Sequence, residues 1–329
     1  MKKVFICAIL IFNLHVLHSQ DMILSQYFAS QPYINPALTG FFDGSYRVTT
    51  NYRSQWSTLG SSIKSMGVSA DAVFLKEKLQ GDYLGVGVSA YREDQFGFMT
   101  NNMARLNFSY NKKIGYETEQ YLSIGTYLGA NHNFLGGNFI TPDQNPEDIQ
   151  RTSTMGFDVG LGLNYQVVFS ENANFFIGAS ADHLLPIKNS FLNTDTEKAR
   201  RFNLYTSAKI RITDLVFILP TLLASKQDAH SQINGGTSVQ FLFGNYSLNK
   251  SSISFGTFLR YGNNSIDAAI GMARLEYNGF MLGLSYDHNL NELSSATKGF
   301  GALELSLGYI GLIERAFKSR SDCPNTKNF

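Results

Sequence analysis

Between residues 155 and 167 apolar and polar positions alternate without a break. Met155, Phe157, Val159, Leu161, Leu163, Tyr165 and Val167 form one set, and Gly156, Asp158, Gly160, Gly162, Asn164 and Gln166 the other. Successive side chains of a strand point to opposite faces, so this segment reads as a strand with one apolar face and one small or polar face; a helix would mix the two sets. The alternation recurs at 84–91, 122–131, 202–211 and 303–309. Runs of about 7–13 residues suit a tilted transmembrane strand, which needs about 9–11, better than a globular strand of about 5–6. About fourteen such segments start near residues 45, 63, 82, 102, 120, 153, 174, 200, 214, 232, 251, 265, 279 and 299. An even number is what single-chain bacterial barrels use. The pattern predicts an all-β fold, a transmembrane antiparallel up-and-down β-barrel of about 14 strands over residues 44–312. One segment fits poorly: 215–224 is apolar on both faces and contains Pro220, so it either faces a plug or bulges.

The links between segments differ in length. Those at 76–79, 114–119, 171–174, 214, 245–249 and Asn278-Gly279 are short, and Asn-Gly is a favoured two-residue hairpin turn. Those at 135–151, 186–199 and 290–298 are longer. Short periplasmic turns and longer outer loops place the first segment running outward, with both ends of the mature chain in the periplasm. Tyr46, Phe74, Tyr110, Tyr277, Phe280 and Tyr309 then fall on the apolar face at the periplasmic end, as an interfacial girdle does. Tyr83 and Tyr121 share that level with the opposite parity.

Residues 1–20 carry Lys2 and Lys3 ahead of a short apolar stretch and read as a cleaved signal peptide. Cys7 leaves with it, so the mature chain keeps one thiol, Cys323, and has no internal disulfide. Charged residues make up 16% of the chain and its net charge is +1, so no basic field draws nucleic acid. A mean hydropathy of −0.12 suits a wall that averages a lipid face with a wet face. An outer-membrane location follows, with lipid as one partner.

Catalytic and metal-binding candidates are weak, and no cofactor is expected. His132, His183 and His288 share parity with the lipid face, and Asp182-His183 and Asp287-His288 are strand neighbours pointing opposite ways, so no dyad forms along a strand. Arg47, Arg53, Asp71, Arg105, Asp158, Lys209, Arg211, Arg260, Arg274, Glu276 and Glu304 have lumen parity; mixed signs favour mutual pairing over a solute filter. Gly160, on the same face, is expected to take serine at a smaller cost than the lipid-facing Leu161 takes arginine. No P-loop, zinc spacing or nucleophile elbow is present.

The start of the mature chain reads Ser25-Gln26-Tyr27-Phe28, then Tyr33-Ile34-Asn35-Pro36-Ala37-Leu38-Thr39-Gly40, then Tyr52-Arg53-Ser54-Gln55-Trp56. With the signal peptide and a Cys323-Pro324 tail, this resembles the PorP/SprF family of type IX secretion system outer-membrane proteins. The family's tail usually has an aromatic soon after Cys-Pro; here Asn325-Thr326-Lys327 follows. The resemblance implies a non-enzymatic role in secretion or surface attachment of large adhesins or other sorting-domain cargo, often in gliding, with periplasmic secretion components as further partners. A channel for small or hydrophobic solutes is the alternative for a barrel of this size. Asn35-Pro36 favours a turn, and Tyr27, Phe28 and Tyr33 are apolar yet precede the first strand. Residues 21–43 are therefore either a barrel plug or a periplasmic arm. Tyr27, Phe28, Tyr33, Asn35 and Pro36, with Cys323 and Pro324 of a polar tail at 313–329, are the candidate plug or partner-binding residues.

Overall fold

The computed structural model describes residues 21–76, 78–115, 118–140, 146–170, 172–187, 197–243, 251–262 and 265–313. Its strands are β1 (Tyr46–Gln55), β2 (Ile63–Phe74), β3 (Tyr83–Gln95), β4 (Met99–Lys113), β5 (Glu119–Ile140), β6 (Pro146–Ser170) and β7 (Ala173–Asp182). They continue as β8 (Arg201–Thr213), β9 (Val216–Gln227), β10 (His230–Phe243), β11 (Ser251–Gly262), β12 (Ser265–Tyr277), β13 (Phe280–Asn289) and β14 (Phe300–Gly311). Each pairs antiparallel with its sequence neighbours, and β14 pairs with β1 from Tyr46↔Gly311 to Gln55↔Ala302, closing a 14-stranded barrel with no free edge. Among the described residues no helix is long and apolar enough to cross a membrane.

The alternation in the sequence is the alternation in the wall. Ile124, Leu128, Leu161, Leu163 and Leu204 are more than half exposed on the outer surface, while Asp158, Asn164 and Gln166 are buried inside. This inversion of ordinary globular burial is what a lipid-facing surface requires. At the end of the barrel carrying the short turns, Tyr46 and Phe280 both pack on Tyr309, at ring separations of 6.1 and 4.6 Å. Asn278 and Gly279, at φ 49° and 82°, make the tight link from β12 to β13, the left-handed pair that a type I′ hairpin needs. Tyr83 and Tyr121 are buried on the inner face, edge to face at 5.8 Å.

One expectation changes, and one open choice is decided. The stretch 135–151 is not a loop throughout: β5 and β6 continue past a register shift through Gly137↔Ile149 to Ile140↔Pro146, so the hairpin runs well beyond a membrane's strand span. The segment around Pro220 is the regular strand β9, without a bulge at that point, but its ladder with β8 is interrupted. Ser207↔Thr221 and Ile210↔Ile218 pair, and the two rungs between them are missing. Pro220 has no N–H to give.

Candidate functional site

Residues 21–42 run inside the barrel and contribute Met22, Leu24, Tyr27, Tyr33, Ile34, Leu38 and Phe41 to its main apolar cluster. The segment holds a 3-10 turn at Tyr27–Ala29, one helical turn, α1 (Gln31–Ile34), and a second 3-10 turn at Pro36–Leu38. Such short turns have little stability alone; contacts to the wall hold them.

Asn35 shows how. It is fully buried and extended, at φ −152° and ψ 121°, as a residue preceding proline prefers. Its Oδ1 accepts from the Ala37 N–H at 2.8 Å, capping the Pro36–Leu38 turn. Its Nδ2 donates to the Leu163 and Ala179 carbonyls of β6 and β7, at 2.9 and 3.1 Å. The wall leaves room for this: a Cβ on Gly162 would stand 1.8 Å from Asn35 Oδ1, one on Gly125 2.3 Å from the Ala37 nitrogen, and one on Gly85 2.1 Å from the Thr39 carbonyl oxygen. Inner-face glycines are thus the seat on which the Asn-Pro-Ala backbone rests.

The opposite wall holds the beginning of the segment. The Glu304 carboxylate accepts from the Ser25 and Gln26 N–H groups at 2.7 and 3.1 Å. Asp287 accepts from Ser25 Oγ at 2.7 Å and is paired with Arg53 and Arg260 at 3.0 and 2.9 Å. Arg47 is bidentate on Asp71, at 3.0 and 2.7 Å, and donates to Gln31 Oε1 and the Leu38 carbonyl; Asp71 also accepts from the Gly40 N–H at 2.7 Å. Every buried carboxylate named here is charge-paired and hydrogen-bonded, the condition under which buried ions are tolerated.

A third group of charges gathers around Asp21. Its carboxylate meets His183 Nε2 and Lys198 Nζ at 2.6 Å each and Arg201 Nη1 at 3.4 Å. Burial opposes ionisation, but these three groups outweigh it and hold the Asp21 carboxyl well below the usual range. Arg201 also reaches Asp182 at 2.8 Å and the Tyr33 hydroxyl at 2.9 Å. Tyr33 returns to the Met22 carbonyl at 2.8 Å and lies under the Arg201 guanidinium at 4.5 Å.

His183 corrects its expected position. It is buried, with Nδ1 2.9 Å from Asp158, because it follows the last residue of β7 in a left-handed conformation at φ 59° that turns the ring inward. Parity counts only within a strand. His132 and His288 are exposed on the outer face. The inner face is tight at Gly160: a Cβ there would stand 2.2 Å from the fully buried Tyr127 ring, so serine carries a cost of its own.

The sequence-predicted residues fall into two groups. Tyr27, Tyr33, Asn35 and Pro36 are buried in the lumen, and Phe28 is half-buried, edge to face with Tyr27 at 5.5 Å and stacked near Phe258 at 6.1 Å. Cys323 and Pro324 lie outside the described residues. Arg53 of the second motif is the inward clamp already described, while Tyr52 faces outward and Trp56, at φ 58°, stacks near Phe96 beyond the strand. Sequence reading did not single out Asp21, Lys198 or Arg201. For Arg201 the signal was available, since it shares parity with the inward residues of β8. Among the described residues no group of three or more His, Cys, Asp or Glu is placed to hold a metal ion.

The barrel is similar to solved outer-membrane structures. One is the toluene transporter TbuX of Ralstonia pickettii, at 10% identity and TM-score 0.51, with 85% of this chain and 92% of that chain covered. Another is a FadL homologue of Pseudomonas aeruginosa, at 10% identity and TM-score 0.50, with 85% and 94% covered. Identities this low carry the fold alone. No curated protein matches the chain. The family model described as type IX secretion system membrane protein PorP/SprF matches residues 16–309, and the chain belongs to that family of membrane proteins.

Proposed function

We propose that this outer-membrane barrel is a non-enzymatic accessory of type IX secretion that helps export or anchor a large adhesin or other sorting-domain cargo. The observation that carries this reading is the lumenal segment 21–42, tied to opposite walls through Asn35 on one side and Glu304, Asp287 and Asp71 on the other. A lumen held this way suits a rigid platform better than an open pore. In this reading residues 21–43 are a plug, the short-turn end faces the periplasm, and the tail at 313–329 docks a periplasmic secretion component.

Deleting residues 321–329 should leave barrel insertion intact, since no strand is lost, and should reduce cargo display on the cell surface. Normal display by a fully inserted, truncated barrel removes the docking role. Labelling of intact cells should succeed at Glu292→Cys and fail at Asp214→Cys; the reverse inverts the topology. Deletion of the whole protein with no change in any surface-displayed cargo, combined with single-channel conductance of the purified barrel, would favour the solute-channel alternative.

A further inference from the structure

The inner face of β9, like that of β12 with Ile270 and Met272, is apolar. Elsewhere lumen-facing positions are mostly small or polar, but β9 presents Phe217, Leu219 and Leu223 inward while Ile218, Pro220 and Leu222 face out. Leu223 is covered by the lumenal segment. Phe217 lies under the Lys209 ammonium at 4.7 Å. Leu219 borders a cavity of about 80 Å³ beneath the segment, lined also by Phe28, Ile34, Phe258 and Met272. That is several times the roughly 10–15 Å³ that admits one water, yet the lining is mostly apolar, so water is poorly held there.

The same cavity reaches the seam between β8 and β9, where two rungs are missing. Thr206, Ser207, Leu219 and Thr221 line it, and they flank the missing rungs between β8 and β9. Thr206 belongs to the outward-facing set of β8, so the cavity extends to the backbone plane of the wall. The register shifts among the described strand pairs, including that at Arg211/Thr213, lie near a strand end or in the extension of β5 and β6, whereas the gap at Ala208 and Lys209 leaves the register unchanged. Pro220 keeps its partner Thr237 on β10, and Ala208 and Lys209 keep Phe175 and Asn174 on β7, so the loss is confined to the β8–β9 seam. The outer surface at this seam is the lipid face. An apolar cavity, a lipid phase outside it and a wall lacking two rungs between them stand in line.

We propose that this cavity binds the terminal methylenes of a single alkyl chain of a membrane amphiphile, which enter from the bilayer through the β8–β9 seam at Pro220. Burial of methylenes against Leu219, Phe258 and Met272 drives binding. Arg274, which lines the cavity and is paired with Glu276 at 2.7 Å, bounds the apolar part of the cavity, and the head group stays at the membrane surface outside the wall. A free fatty acid and one tail of a phospholipid share this chemistry.

The full-length protein, with Cys323→Ser, is reconstituted in phosphatidylethanolamine–phosphatidylglycerol vesicles. These carry either palmitate with a diazirine near the chain end or phosphatidylglycerol with the same group in one tail. After illumination the cross-linked residues are mapped by mass spectrometry. Labels at Leu219, Phe258, Met272 or Phe28, beside those on outer residues such as Leu161, are expected; palmitate alone reaching them identifies a free acid, and both probes identify a lipid tail. Labels confined to outer residues overturn the site. The pair Ile210→Cys/Ile218→Cys staples the outer face beside the missing rungs and keeps Pro220. When oxidised it should lower labelling inside the cavity at least tenfold, leave outer labelling unchanged, and recover on reduction. Cavity labelling indifferent to the staple overturns entry through the seam. Thr221→Trp, which fills the cavity with the seam intact, should abolish inner labelling while heat-modifiable migration stays that of a folded barrel; persistent inner labelling in this variant also overturns the site.

Discussion

The lumen has two differently built sides. Along β13, β14, β1 and β2, buried carboxylates and arginines grip residues 25–40; along β8 to β12, apart from Arg201, Asn203 and Arg260, the wall meets the same segment mostly with apolar side chains and leaves a cavity. The first side is determined by direction: each ion pair fixes a donor, an acceptor and a distance, and a buried ion without its partner is costly. The second is held by non-directional burial, which tolerates empty space and exchange of occupants. Rigidity of the segment is therefore expected to come from the polar side, and adaptability from the apolar one.

The sharpest break of that contrast is Asp71→Ala. It strands Arg47 and releases the Gly40 N–H, and both charged side chains are nearly inaccessible. A loss of about 3–5 kcal/mol is expected, measured by urea unfolding, with proteolysis of residues 21–42 reporting release of the segment. Unchanged protection would mean that the apolar side alone holds it.

Leu161→Arg tests the outer face against both inner sides. Leu161 is 51% exposed to the lipid side, and arginine near the midplane should cost about 2–4 kcal/mol. Reversible folding into vesicles is the measurement, and the segment should remain seated in the molecules that do fold.

Gly160→Ser probes the fit between wall and ring. The added atoms meet Tyr127, whose hydroxyl donates to Asp158 at 3.1 Å, and overpacking of this kind costs about 1–3 kcal/mol. Gly271→Ser, on the outer face of β12 where nothing lies within 4 Å of a Cβ, should cost less than about 0.5 kcal/mol. Equal losses would remove the distinction.

Least is expected from pH. Asp21 is depressed below its ordinary 3.8 by His183, Lys198 and Arg201, which together outweigh its burial. Stability from a depressed carboxylate is present above the unfolded value and is lost as pH falls through the folded one. Asp21→Asn should therefore flatten the stability profile only on the acid side, below about pH 4, and leave the neutral profile with a constant offset. An unaltered acid limb would show that Asp21 does not titrate with unfolding.

The wall was legible in the chain's own pattern. Period two over long runs assigns Leu161 to lipid and Asp158 to the lumen without reference to any partner, because strand geometry alone sends neighbours to opposite faces. The same parity placed Arg47, Arg53, Asp71 and Glu304 inside. The pairing across the lumen was settled instead by closure in three dimensions. Asn35 meets Leu163 and Ala179, 128 and 144 residues away in sequence, and Glu304 meets Ser25 279 residues away. Such contacts depend on closure of the barrel around the segment, and no local pattern encodes them. His183 makes the point at one residue: its parity pointed to lipid, and a left-handed turn just beyond β7 brought it to Asp21 and Asp158. Local periodicity fixes direction along a strand, whereas the turn beyond it and the closure of the sheet fix what a side chain meets.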